Sequence, residues 1–136
     1  MEKVDRIIQM EIGRINSHLP KARKSLCELL KEDSPSIELR DGSLHYFRRS
    51  ELEFLKTLAG EEACLVKLPI ILELSTLDRG YFVVRGRGEV RVIKKLLELS
   101  EDIYLEENTV RLPRYYLPTI RRKLPTTTVY AFITEW

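Results

Sequence analysis

Apolar residues recur along this chain first at helical and then at strand spacing. Over residues 3–16, Val4, Ile8, Ile12 and Ile15 repeat at helical intervals with Ile7 beside them, and charged residues fill the other face. That pattern predicts an amphipathic helix. Pro20 suits a first helical position, where a missing N–H costs nothing. Ala22, Leu26, Leu29 and Leu30 then form one stripe up to Lys31. Two short helices with a tight connection predict a helical hairpin over residues 1–33.

Past the loop "EDSPS" the period changes. "IELRDGSLHYF" holds two short extended runs joined by Asp41-Gly42, a dipeptide that supplies the positive φ of a type I′ hairpin turn. Ser50 with Glu53 reads as a capping box for a helix through Leu52, Leu55 and Leu58 that ends at Gly60. Residues 64–74 alternate: Cys64, Val66, Leu68, Ile70, Leu72 and Leu74 on one face, Lys67, Pro69 and Glu73 on the other. One face belongs to a core and one is mixed. Pro69 cannot donate to a ladder, which predicts an edge position or a bulge there. "YFVVRG" returns as a second strand, and Gly86 and Gly88 precede a helix over 89–99. A small hairpin around "EENT", a helix near 118–124 and a closing strand at 128–134 complete the chain. The expected fold is a single α+β domain over residues 1–136. It has an N-terminal helical hairpin and a body over 36–136, a small mainly antiparallel sheet with packed helices.

Composition narrows the function classes. At 136 residues and 43% apolar, the chain can bury a core without a structural metal. The formal charge of +2 gives no global drive toward nucleic acid, so electrostatic function must come from local clusters. No apolar run is long enough to span a bilayer, and the charged N-terminus does not read as a signal peptide. These features predict a cytoplasmic protein with no membrane partner. Cys27 and Cys64 lie far apart without a C-x-x-C partner, which argues against zinc and predicts two buried reduced thiols. No cofactor is expected. One Gln, two Asn and two Met among abundant Glu, Lys and Arg fit a thermophile.

Two basic segments stand out. "RGRGEVRVIKK" carries Arg85, Arg87, Arg91, Lys94 and Lys95 against Glu89 alone. Arg91, Lys94, Lys95 and Glu98 share one helical face, and the glycine loop precedes a helix N-terminus, where free N–H groups favour an anion. The pattern lacks a full G-x-G-x-x-G or G-K-[ST], so it does not read as a nucleotide site. "RRKLPTTT" adds Arg121, Arg122 and Lys123 before a Leu-Pro stop, with three threonines whose hydroxyls can meet phosphate oxygens. Alternation in a strand allows at most alternate hydroxyls to act together. His18 and His45 are the weak catalytic candidates, His45 with Glu51 and Glu53 nearby in sequence. Neither has a recognisable nucleophile setting, so an enzyme is the lesser expectation. Tyr115-Tyr116 is the aromatic pair expected at the surface.

"HLPKARKSL", "DGSLHYFRRSEL", "KLPIILEL", "GYFVVRGRGEVRVIKKLL" and "RRKLPTTTVYAF", in that order, resemble an archaeal family of uncharacterised proteins, the sixty-first domain of unknown function. The resemblance implies an archaeal cytosolic protein and brings no activity, cofactor or catalytic residue. The leading expectation is therefore a small binding module that contacts RNA or a ribonucleoprotein through Arg85, Arg87, Arg91, Lys94, Lys95, Arg121, Arg122 and Lys123. The alternatives are a small enzyme acting on a phosphorylated or nucleic-acid substrate through a histidine, and a protein–protein adaptor or homodimer using the edge near Pro69.

Overall fold

The computed structural model describes residues 20–75, 80–100, 106 and 108–133. The helix expected over 3–16, and with it His18, lies outside these residues. The described part is α+β. A four-stranded sheet runs in the order β7 (Thr109–Pro113), β6 (Tyr81–Arg85), β5 (Ile70–Ser75), β8 (Thr128–Ile133). β5–β6 and β6–β7 are antiparallel, and β5–β8 is parallel in the register Ile70 with Thr128 through Ser75 with Ile133. The alternation read in 64–74 is carried out by burial in part: Val66, Leu68, Ile70, Leu72 and Leu74 are buried and Lys67 is exposed, but Cys64 is exposed and Pro69 is buried.

The strand is nonetheless two pieces. β4 (Lys67–Leu68) pairs antiparallel with β1 (Lys24–Ser25), and Pro69 breaks the run before β5. The Leu68–Pro69 peptide is cis. Pro69 is buried in the break between β4 and β5, so it is not an exposed edge position.

Pro20 does not start a helix. It bridges to Leu39, and helix α1 (Leu26–Leu30) begins later. The reason is local: Ser25 takes an extended conformation (ψ 153°) and its hydroxyl accepts from the Glu28 N–H, an N-cap. The second helix of the expected hairpin thus shrinks to 5 residues preceded by a strand. β1–β4 pairing sets α1 against a 3-10 helix over Gly60–Leu65, with Leu26 N–H donating to the Val66 carbonyl at 2.8 Å. That contact overturns the reduced-thiol expectation. Cys27 and Cys64, 37 residues apart, come to a Cα–Cα distance of 4.9 Å and form a disulfide, and Cys64 is exposed.

The Asp41-Gly42 hairpin forms between β2 (Ser36–Glu38) and β3 (Leu44–Tyr46). Its loop differs from type I′: only Gly42 has a positive φ, +89°, and the Asp41 carboxylate accepts from Ser43 N–H at 2.9 Å. Helix α2 (Arg49–Ala59) has Arg48 as its extended N-cap, without a side-chain cap. Ser50 therefore falls inside the first turn, and the capping box read from Ser50 and Glu53 does not form.

Helix α3 (Arg87–Leu96) lies over β6 and β7 and against α2. Gly88 makes its position possible. A Cβ there would sit 2.6 Å from the Val66 backbone nitrogen and 2.7 Å from the Leu65 carbonyl carbon. Both are backbone atoms that cannot step aside. Gly88→Ala is expected to destabilise the protein by about 1–3 kcal/mol, read as a lower urea midpoint with an unchanged slope. An unchanged midpoint would show that α3 has slack against residues 65–66. No helix among the described residues is long and apolar enough to cross a membrane.

Candidate functional site

The first turn of α3 is where the sequence points to an anion site, and the structure fills it from within. Gly86 is the N-cap at φ +111°, and its missing side chain leaves room for the Glu89 carboxylate, with which a Cβ would collide. Glu89 accepts from the Lys67 N–H and from Arg23 Nη2, each at 3.4 Å. The dipole at this helix start is thus met by the chain's own carboxylate. Burial pushes the Glu89 carboxyl above its ordinary range, against the pull of Arg23 and these N–H groups.

The arginines around it are also engaged. Arg85 pairs with Glu73 at 2.8 Å and Arg87 with Glu62 at 3.0 Å. Lys94, expected among the phosphate contacts, is 5% exposed. α3 buries Gly88, Glu89, Val90, Val92, Ile93, Lys94 and Leu96, leaving Arg87, Arg91 and Lys95 outside. The eight basic candidates therefore do not form one face.

One contact joins the two basic segments. Helix α4 (Leu117–Lys123) carries Arg121, Arg122 and Lys123 in its last turn, all exposed. Lys123 Nζ donates to the Leu96 carbonyl at 3.4 Å. That bond sets the last turn of α4 against the last turn of α3, where Lys95 is exposed. Neither Lys95, Arg122 nor Lys123 has a carboxylate within ion-pair distance among the described residues. Tyr115, in the 3-10 turn that leads into α4, is 69% exposed with its ring 4.6 Å from that of Tyr116.

The threonines after α4 have a different role from the one read in the sequence. Thr126 is tied to α2: its N–H donates to Glu51 Oε1 at 3.2 Å, and its hydroxyl donates to the other carboxylate oxygen of Glu51. Its carbonyl takes a 3.0 Å bond from His45 Nε2. A carbonyl only accepts, so Nε2 carries the proton and Nδ1 is left as the acceptor of the neutral ring. Thr127 donates nothing through its buried hydroxyl but its carbonyl accepts from Ile70 N–H at 2.6 Å. Thr128 is buried and its hydroxyl has no partner among the described residues. Beside these residues lies a cavity of about 310 Å³ between the β2–β3 hairpin and the start of β8, with His45, Thr126, Thr128, Pro69 and Pro125 in its wall. His45 and Glu51 thus meet across Thr126, whereas Glu53 is exposed and takes no part. The cavity escaped the sequence reading because its walls come from four separate segments. The Leu-Pro pairs at 20, 69 and 125 were its one visible trace: all three prolines line it.

Glu51 is 7% exposed. Burial raises its carboxyl above the ordinary range, partly offset by the Thr126 N–H and the nearby Arg48 charge. A raised carboxyl favours the fold in its neutral form. The contribution is complete below the unfolded value of about 4.3 and is lost as pH rises through the folded value. Glu51→Gln removes this titration. Its Tm relative to wild type is therefore expected to rise between pH 4 and pH 7 in thermal melts. Parallel curves for the two proteins would contradict a buried, titrating Glu51.

Fold and site together define a small α+β domain with a basic last turn on α4 and a cavity beside Thr126 and Thr128. The chain belongs to the family described as Protein of unknown function DUF61, whose model matches residues 5–132. It is 61% identical over 137 residues, all of both chains, to a UPF0216 protein of Pyrococcus horikoshii. It is 41% identical to a UPF0216 protein of Methanopyrus kandleri, over 98% of this chain and 89% of that one. These relatives come from thermophilic archaea. The solution structure of an archaeal DUF61 family protein superposes with a TM-score of 0.65 over 88% of this chain and 78% of that one, at 20% identity; the two share the fold.

Proposed function

We propose that this protein is a cytoplasmic RNA-binding module, free or within a ribonucleoprotein. It grips phosphates where the last turns of α3 and α4 meet. The Lys123–Leu96 bond supports this reading, because it joins two basic segments that are distant in sequence. Lys95, Arg121, Arg122 and Lys123, all exposed, are the proposed contacts. Phosphate contacts by exposed lysine and arginine give affinity without sequence reading. The paired Arg85 and Arg87 and the buried Lys94 are left out of the proposed contact.

Lysine footprinting tests the location. Acylation of the free protein and of its complex with a mixed-sequence single-stranded RNA is compared by mass spectrometry. The expected result is protection of Lys95 and Lys123, with Lys21 and Lys56, both exposed on other elements, labelled equally in both samples. Uniform labelling with RNA present would remove the proposed surface.

A further inference from the structure

We infer that the cavity beside the threonines takes a single unstacked nucleobase, an assignment that rests on the RNA-binding reading. Among the described residues no lysine, arginine, aspartate or glutamate lines it, which favours a neutral ligand over a phosphate in the interior. Three prolines, Pro20, Pro69 and Pro125, are among the residues that line it. The volume of about 310 Å³ is about twice that of an engineered cavity that holds benzene. That suits a heterocycle with room for its polar edge.

The polar groups ask for such an edge. Thr128 is 4% exposed, is among the residues that line the cavity, and has a hydroxyl with no hydrogen-bond partner among the described residues. A buried hydroxyl in that state costs free energy that a ligand hydrogen bond relieves. His45 has spent its Nε2 proton on the Thr126 carbonyl, which leaves Nδ1 as an acceptor. A donor and acceptor hydroxyl with one acceptor nitrogen is the complement of a base edge, where donors and acceptors alternate.

Position links the cavity to the phosphates. Pro125 and Thr126 line the cavity, and Lys123 ends the basic turn just before them. Two residues of chain reach at most about 7 Å, comparable with the reach of a nucleotide from phosphate to base. A strand held by Arg122 and Lys123 can therefore turn one base inward.

The cavity can be read without the phosphates. NMR titration of the whole protein with uncharged nucleosides, following the His45 ring and the Thr128 methyl, is expected to shift both with saturation in the millimolar range. Thr128→Val, which keeps shape and strand propensity, is expected to weaken nucleoside binding about tenfold. No shift of either group up to saturating nucleoside would overturn the assignment, as would equal binding by wild type and Thr128→Val. An abasic RNA oligomer separates the two readings. It is expected to bind wild type and Thr128→Val equally, leaving His45 unshifted. If the abasic oligomer fails to bind while nucleosides shift His45, the phosphate surface is wrong and the cavity stands as a base site.

Discussion

Reducing the Cys27–Cys64 disulfide is expected to lower the Tm by about 10–15 °C. The bond closes a loop of 37 residues in sequence. In the chain-entropy account, cross-linking a loop of that length removes about 4 kcal/mol of unfolded-state freedom. For a chain of 136 residues, each kcal/mol moves Tm by roughly 3–4 °C. The measurement is a pair of calorimetric scans with and without a reductant, repeated on Cys27→Ser/Cys64→Ser. The double variant should melt with the reduced wild type and ignore the reductant. A thiol titration of the unfolded, unreduced protein should find no free sulfhydryl. A Tm shift below about 3 °C would show that residues 27–64 are held together mainly by the β1–β4 pairing and the α1–α2 contacts. A disulfide does not make the protein a secreted one, because intracellular proteins of hyperthermophilic archaea use them freely.

The Lys95→Glu/Arg122→Glu variant is expected to lose about 100-fold in affinity for single-stranded RNA. Each lost charged contact costs about 1.5–3 kcal/mol, tenfold or more in affinity, and the new carboxylates repel the phosphates. Both residues are exposed, so Tm should stay within a few degrees of wild type. Arg85→Glu is the control. Its guanidinium already pairs with Glu73, and reversing it should leave RNA affinity within about threefold. A 100-fold loss from Arg85→Glu with none from the Lys95/Arg122 pair would move the site to the other end of α3.

The parts of the fold that were legible had one strong local cause each. The alternating apolar residues from Val66 to Leu74 all went into the core, as their pattern implied. Asp41-Gly42 needed a left-handed residue, and Gly42 is one. What failed needed tertiary information. β1 and β4 are 2 residues each, too short for any period, yet their pairing brings Cys27 to Cys64 and stops Pro20 from opening a helix. Lys94 sits on a wheel face with Arg91 and Lys95, but α3 is wedged among α2, β6 and β7, so that face is only partly open. The glycine loop was read correctly as a helix start. Its anion turned out to be Glu89, three residues along the same chain. Of the threonines of "RRKLPTTT", Thr128 begins a strand as its β-branching implies, and Thr126 and Thr127 form the turn before it. The bonds of Thr126 to Glu51 and His45, from elements about eighty residues upstream, had no sequence signal beyond the residues themselves.

The salt dependence of binding tests the central claim most directly. Anisotropy of a labelled mixed-sequence single-stranded RNA is measured from 50 to 200 mM salt for wild type and for Lys95→Glu/Arg122→Glu. Four cations on four phosphates predict a slope of log K against log salt of about −3 for wild type, with the slope cut by more than half in the variant. Binding with equal slopes in both proteins, or no binding by wild type at 50 mM salt, would contradict an RNA surface at the meeting of α3 and α4.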